Sequence, residues 1–249
     1  MRNIALRLQY KGSAYHGWQR QENAVTIQQI IEESLQKVCD EMPTVYGCGR
    51  TDAGVHALNY VCNFNSQTKI PDEKIPFALN SILPDDIRVT GAKTVDDDFH
   101  SRFSTKKKRY IYKIFNAQYG DAFLTDLAWH YKYELDMELI NKACPFFCGE
   151  HDFSAFCASG AQTNDFTRTI YTLSADKRDN MITIDVCGNG FLYNMVRIIA
   201  GTLAYVGDGR IAPQEIESII ASRDRRLAGI TAPPYGLYMA EVDYGFDLF

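Results

Sequence analysis

The chain has 249 residues, 26 basic and 31 acidic side chains, and a formal net charge of -5. That length suits one large domain or two ordinary ones and is ample for a buried core. With 46% hydrophobic and 23% charged residues, the composition excludes long disorder, collagen-like repeats and coiled coil. The negative total excludes a uniformly basic surface, but it leaves room for a local basic groove, because field is a property of a face as well as of a sum.

The chain opens with a predicted strand, since Ile4, Leu6, Leu8 and Tyr10 recur with period two. A loop rich in glycine, aromatic and polar residues follows over 11–24. Thr26 is placed as a helix N-cap, Gln29 as its capping-box partner, and Val25 with Ile30 as a hydrophobic staple. Ile27, Ile30, Ile31, Leu35 and Val38 then mark one apolar helical face. A short strand is expected just before Gly47, another over 57–64, a helix over 73–81 and a strand over 87–95. The second half reads as a strand over 109–115, a helix over 137–147, and a hairpin of 168–176 with 181–186 turning at 178–180. A long helix over 191–206, a shorter one over 213–222 and a strand over 237–242 complete the order. These elements make an α+β protein of two halves, 1–103 and 104–249.

The first ten residues lack the continuous apolar core of a signal peptide. The apolar stretch 190–206 is short for a membrane span and carries Asn194 and Arg197. Seven cysteines, an odd number, fit reduced thiols in a cytoplasmic protein. Cys144, Cys148 and His151, with Cys157 nearby, invite a zinc reading. Their spacing lacks two compact ligand pairs, and free thiols on a buried helix are the expectation.

Four segments concentrate chemistry. The first is Gly47-Cys48-Gly49-Arg50-Thr51-Asp52-Ala53-Gly54-Val55-His56-Ala57, between two predicted strands. Its glycines permit tight backbone, and Arg50, Thr51, Asp52 and His56 are its polar cargo. A plain turn with Asp52 capping backbone donors is equally compatible. The second is Arg197, the only charged side chain in 190–206. A helix apolar nearly all round is buried, and a buried arginine needs a partner such as a carboxylate, with Asp52 the mate in view. Snorkelling to the surface is the alternative. The third is 101–113, where Arg102, Lys106, Lys107, Lys108, Arg109 and Lys113 interleave with Phe103, Tyr110 and Tyr112. Cations take phosphates and rings take unstacked bases, so the run suits RNA; a solvated basic edge strand would look the same. The fourth is 12–21, dense in stacking and amide groups, with Trp18 set either against a nucleic acid or over a core edge.

In order along the chain, Tyr15-His16-Gly17-Trp18-Gln19, Gly49-Arg50-Thr51-Asp52-Ala53-Gly54-Val55-His56-Ala57, Phe99-His100-Ser101-Arg102-Phe103 with Arg109-Tyr110-Ile111-Tyr112, Gly190-Phe191-Leu192-Tyr193-Asn194-Met195-Val196-Arg197 and Thr231-Ala232-Pro233-Pro234-Tyr235-Gly236-Leu237-Tyr238 resemble the motifs of the TruA family of tRNA pseudouridine synthases. Ser101 and Pro234 stand where that family more often has alanine. The resemblance implies two ferredoxin-like (RRM-like) halves forming a continuous, mainly antiparallel sheet, with helices on one face and a central active cleft. It implies isomerisation of uridine to pseudouridine at positions 38, 39 and 40 of the tRNA anticodon stem-loop, by a homodimer that uses no cofactor and no catalytic metal. It assigns Asp52 as the catalytic carboxylate, either nucleophile or base, and Arg197 as its ionic partner. Tyr110 would stack on the extruded uracil and assist removal of the C5 proton. Arg50 would help fill the space the base leaves or hold the backbone, and Leu237 would contact the substrate. RNA contacts would fall to Arg20, Arg102, Lys106, Lys107, Lys108 and Arg109. Two rivals are a catalytically inactive tRNA-binding protein of the same fold and a hydrolase that uses Asp52 on a small ligand.

Overall fold

The computed structural model describes residues 1–249 and divides them into two compact units, 1–106 with 239–249 and 107–238. Both mix helix and strand, so the α+β class holds. No helix is long and apolar enough to cross a membrane.

The first unit runs β1 (Arg2–Tyr10), α1 (Ile27–Cys39), β2 (Tyr46–Gly47), β3 (His56–Ser66), α2 (Ile75–Asn80) and β4 (Ile87–Val95). β1 lies between β3 and β4 and is antiparallel to both, and β2 is antiparallel to β3. The period-two reading of β1 is correct for Ile4, Leu6 and Leu8, all fully buried, yet Asn3 and Ala5 on the other face are buried too. The segment that follows β4 explains this. Asn3 Nδ2 donates to the carbonyls of Asp96 and Phe99, and Asn63 Nδ2 donates to Asn3 Oδ1. Two buried asparagines thus satisfy one another and anchor that segment over the strands.

Thr26 caps α1, its Oγ1 accepting from Gln29 N at 3.4 Å. The amide of Gln29 turns forward to Glu33, and Val25, the expected staple, is half exposed. Ile27, Ile31 and Leu35 are buried as expected. The helix also buries Gln28 and Glu32, which sequence periodicity leaves outside the core. Glu32 is compensated by Arg20, by Gln28 and by the backbone N–H of Val45.

The second unit runs β5 (Lys107–Asn116), β6 (Trp129–Tyr131), α3 (Met137–Ala143), β7 (Gly149–Asp152), β8 (Thr167–Arg178), β9 (Met181–Gly188), α4 (Met195–Gly207) and α5 (Glu215–Ser222). The antiparallel order is β5-β9-β8-β7, and β6 joins β5 in parallel. β6 and β7 are too short to show periodicity and were not expected. The β8–β9 hairpin turns at Asp179, which takes φ 53°. A last strand, β10 (Leu237–Asp243), begins in this unit and ends in the first.

α4 starts four residues later than the apolar run predicts. Asn194 adopts φ 60°, ψ 8°, a left-handed conformation that cannot continue a helix backward, so Phe191 to Tyr193 precede it as a loop. From Met195 onward α4 is buried nearly all round, as read from the sequence. Its approach to the 228–232 loop demands glycine, because a Cβ on Gly201 would lie 1.9 Å from the Ile230 carbonyl oxygen.

Cys144, Cys148 and His151, the residues of the zinc reading, are placed as follows. Cys144 is buried in a 3-10 turn that extends α3, and burial pushes its thiol up to about 12, which holds it protonated. His151 Nε2 lies 3.0 Å from the Cys148 carbonyl oxygen.

Candidate active site

In the first unit, the segment 47–57 joins β2 to β3 and is clamped along its length by the 10–18 segment. Trp18 N–H donates to the Thr51 carbonyl at 3.0 Å, and Gly54 N–H donates to the Tyr15 carbonyl at 3.2 Å. Val55 N–H closes a turn onto the Asp52 carbonyl at 3.2 Å. Tyr10 Oη and Thr51 Oγ1 are 3.0 Å apart, and Tyr60 donates to the Gly49 carbonyl at 2.6 Å. The two segments meet so closely that side chains are excluded. A Cβ on Gly12 would lie 2.0 Å from the Val55 carbonyl oxygen, and one on Gly17, at φ 83°, would lie 2.4 Å from that of Thr51.

This clamp sorts the polar cargo of the loop. Thr51 and His56 are buried and structural, with His56 Nδ1 accepting from Gly12 N–H at 2.9 Å. That bond fixes the tautomer with the proton on Nε2 when the ring is neutral. Arg50 is exposed and Asp52 half-buried. The loop therefore presents one guanidinium and one carboxylate on a backbone with little freedom to move.

Trp18 belongs to the core side of its two readings. It is 2% exposed and stacks on Tyr60 with ring centroids 4.2 Å apart. Tyr15 is buried and donates to Asp86 at 2.6 Å; its hydroxyl is pushed up by burial and by that carboxylate. The motif 15–19 is thus scaffold for the Asp52 loop, with His16 and Gln19 left at the surface.

In the second unit, β5 alternates as read: Tyr110, Tyr112 and Ile114 are buried on one face, and Arg109 is exposed on the other. Tyr110 meets Phe191 edge to face at 5.2 Å. Tyr112 is fully buried and donates to the Pro233 carbonyl at 2.7 Å. Burial pushes its hydroxyl well up, and the positive charge of Arg197 pulls the other way.

Arg197 is partly buried, between the buried and the snorkelling readings of the apolar helix. It sits in the first turn of α4, where the left-handed Asn194 opens the helix end. Nε donates to the Ala232 carbonyl at 2.8 Å, and Nη1 donates to Asn194 Oδ1 at 2.7 Å. Ala232 N–H returns a bond to the Arg197 carbonyl at 3.1 Å. The 230–236 loop therefore ties Arg197 to Tyr112, and Leu237, buried, follows directly. Asn194 was missed as a site residue, although its position three residues before Arg197 put it within side-chain reach.

The basic residues are not equivalent. Arg109 makes a bidentate pair with Asp185, Nε lying 2.9 and 3.0 Å from its two oxygens. Arg20 is paired with Glu32 at 2.9 Å. Arg102, Lys106 and Lys107 are exposed, and Lys107 Nζ lies 5.6 Å from the Tyr171 ring. Ser101, the departure from the motif, is fully buried and donates to the Tyr46 carbonyl at 2.6 Å, a bond alanine cannot make.

No group of three His, Cys, Asp or Glu side chains is placed to hold a metal ion.

A family model described as tRNA pseudouridine synthase matches residues 8–104 and 143–245. The chain is 50% identical over 244 residues to tRNA pseudouridine synthase A of Thermoanaerobacter sp. (strain X514), covering 98% of this chain and 100% of that one. It is 48% identical over 244 residues, with the same coverages, to tRNA pseudouridine synthase A of Caldicellulosiruptor saccharolyticus. It is 45% identical over 243 residues to that of Bacillus pumilus, covering 97% of this chain and 98% of the other.

Proposed function

This chain belongs to the tRNA pseudouridine synthase family, and from that premise we propose that it isomerises uridine at positions 38, 39 and 40 of the tRNA anticodon stem-loop. The observation that carries the reading is the Asp52 loop. It presents a carboxylate and a guanidinium on a backbone held by Thr51, His56 and the 10–18 segment.

The reaction breaks the bond from ribose C1′ to uracil N1, turns the base and joins C1′ to C5. The proton on C5 is lost and N1 gains one, so no electrons enter or leave. Asp52 is the catalytic carboxylate, acting at the sugar as nucleophile or as base. Arg197 supplies the positive charge opposite the reacting carboxylate, its fork oriented by Ala232 and Asn194. Tyr110 covers the extruded uracil and assists loss of the C5 proton, and Leu237 supplies an apolar contact. Arg50 takes the space the flipped base leaves, which offsets an unstacking cost of about a few kcal/mol.

Arg102, Lys106, Lys107 and Lys108 carry the phosphate contacts. Arg20 and Arg109 contribute less, because each is already neutralised by a carboxylate. The protein works in the cytoplasm as a homodimer, with no cofactor.

The experiment is tritium release from unmodified tRNA labelled at uridine C5. Release in step with pseudouridine formation is the expected result. Tight binding with no release, or liberation of free uracil, would overturn the reading.

A further inference from the structure

Between β4 and β5, the loop 99–105 is held by several hydrogen bonds. Ser101 N–H donates to Asn63 Oδ1 at 2.9 Å, its hydroxyl to the Tyr46 carbonyl at 2.6 Å, and its carbonyl accepts from Tyr244 and from Thr105 Oγ1 at 2.9 and 2.8 Å. His100 N–H is held by Ser104 Oγ, and its Nδ1 accepts from Arg102 N–H at 3.1 Å. What this rigid pedestal displays is a chain of rings. Tyr46 and His100 lie 5.0 Å apart, His100 and Phe103 lie 4.4 Å apart, and the Arg102 guanidinium lies 5.7 Å from the Phe103 ring. Phe103 is 76% exposed and Tyr46 is 42% exposed.

An aromatic ring this exposed contributes little to folding, and the residues on either side of it are held by the bonds just given. From this arrangement we propose that Phe103, backed by His100 and Tyr46, is a stacking platform for an unpaired base of the bound RNA, outside the Asp52 and Arg197 machinery. Rings 4.4 and 5.0 Å apart leave no gap for a base between them, so the base lies on the outer face of Phe103. Arg102 is then set to meet the phosphate of the same nucleotide, and exposed Lys106 follows on the same segment. Polar ring edges and flanking cations suit a nucleotide better than an apolar protein partner. The acidic run Asp96–Asp98 immediately precedes the loop, so the affinity gained here comes from stacking more than from net charge.

The proposal rests on tRNA being the substrate, and the test separates the two. Dissociation constants of the full chain are measured with an unmodified tRNA transcript and with a fully paired RNA duplex, alongside the single-turnover rate at saturating enzyme. Phe103→Ala is expected to weaken tRNA binding about tenfold, to leave duplex binding unchanged and to leave the saturated rate unchanged. Phe103→Trp is expected to restore tRNA affinity, and Phe103→Leu is not. Wild-type affinity in Phe103→Ala, equal affinity in Phe103→Leu, or a matching loss on the duplex would overturn the platform. Failure of the wild-type protein to form pseudouridine would instead overturn the function proposed above, and the affinity comparison would still decide the platform.

Discussion

The loop that carries Asp52 and the helix end that carries Arg197 are held in place by different means. Backbone bonds, the close approach of Gly12 and Gly17, and the buried Thr51 and His56 side chains fix the Asp52 loop, so its shape rests chiefly on the main chain and on those two side chains. Arg197 is fixed through its own guanidinium, by one carbonyl and one side-chain amide. The first arrangement tolerates replacement of the functional side chain and is intolerant of changes in its supporting glycines. In the second, the functional side chain is itself part of the scaffold, so removing it disturbs function and structure together.

Asp52→Ala gives the largest expected effect on this contrast. Turnover falls by at least about 10²–10⁴-fold, while thermal stability and tRNA affinity stay near wild type, checked by calorimetry and anisotropy on one preparation. Large destabilisation would mean that the carboxylate holds the loop after all. Gly12→Ala leaves every polar group intact but drives a methyl group into the Val55 carbonyl. A loss of about 1–3 kcal/mol is expected in denaturant unfolding, together with reduced turnover as the loop shifts.

Arg197→Ala is the mixed case. It strands the Ala232 carbonyl and Asn194 Oδ1, for about 1–2 kcal/mol, and lowers turnover as well. Arg197→Lys keeps the charge but cannot reproduce the two-point geometry, so most of the activity stays lost. Full stability with lost activity in Arg197→Ala would erase the difference between the two regions. The smallest effect concerns the cations. Lys106→Ala should flatten the dependence of log Kd on log salt by close to one phosphate contact, about 0.7–0.9. Arg109→Ala should change it less, since Asp185 already neutralises that guanidinium.

Much of this arrangement is readable from the chain, for reasons that differ by segment. β1 announces itself by alternation, and the Asp52 loop by its glycines and polar residues. The resemblance adds the roles. What sequence misses depends on tertiary geometry. Trp18 is compatible with a nucleic-acid contact or a core edge until β3 places Tyr60 beneath it. His56 looks like cargo until the Gly12 N–H meets its ring. Arg109 looks like a phosphate ligand until the β5–β9 register brings Asp185 beside it, opposite Ile111. The start of α4 is misplaced because apolar periodicity runs through Asn194 while its backbone turns left-handed.

The most direct test is position-resolved pseudouridine mapping on unmodified tRNA transcripts incubated with the purified protein. New pseudouridine at 38, 39 and 40 with the wild-type chain, and none with Asp52→Ala, is the predicted result. Modification elsewhere in the tRNA, or equal modification by the Asp52→Ala variant, would contradict the account.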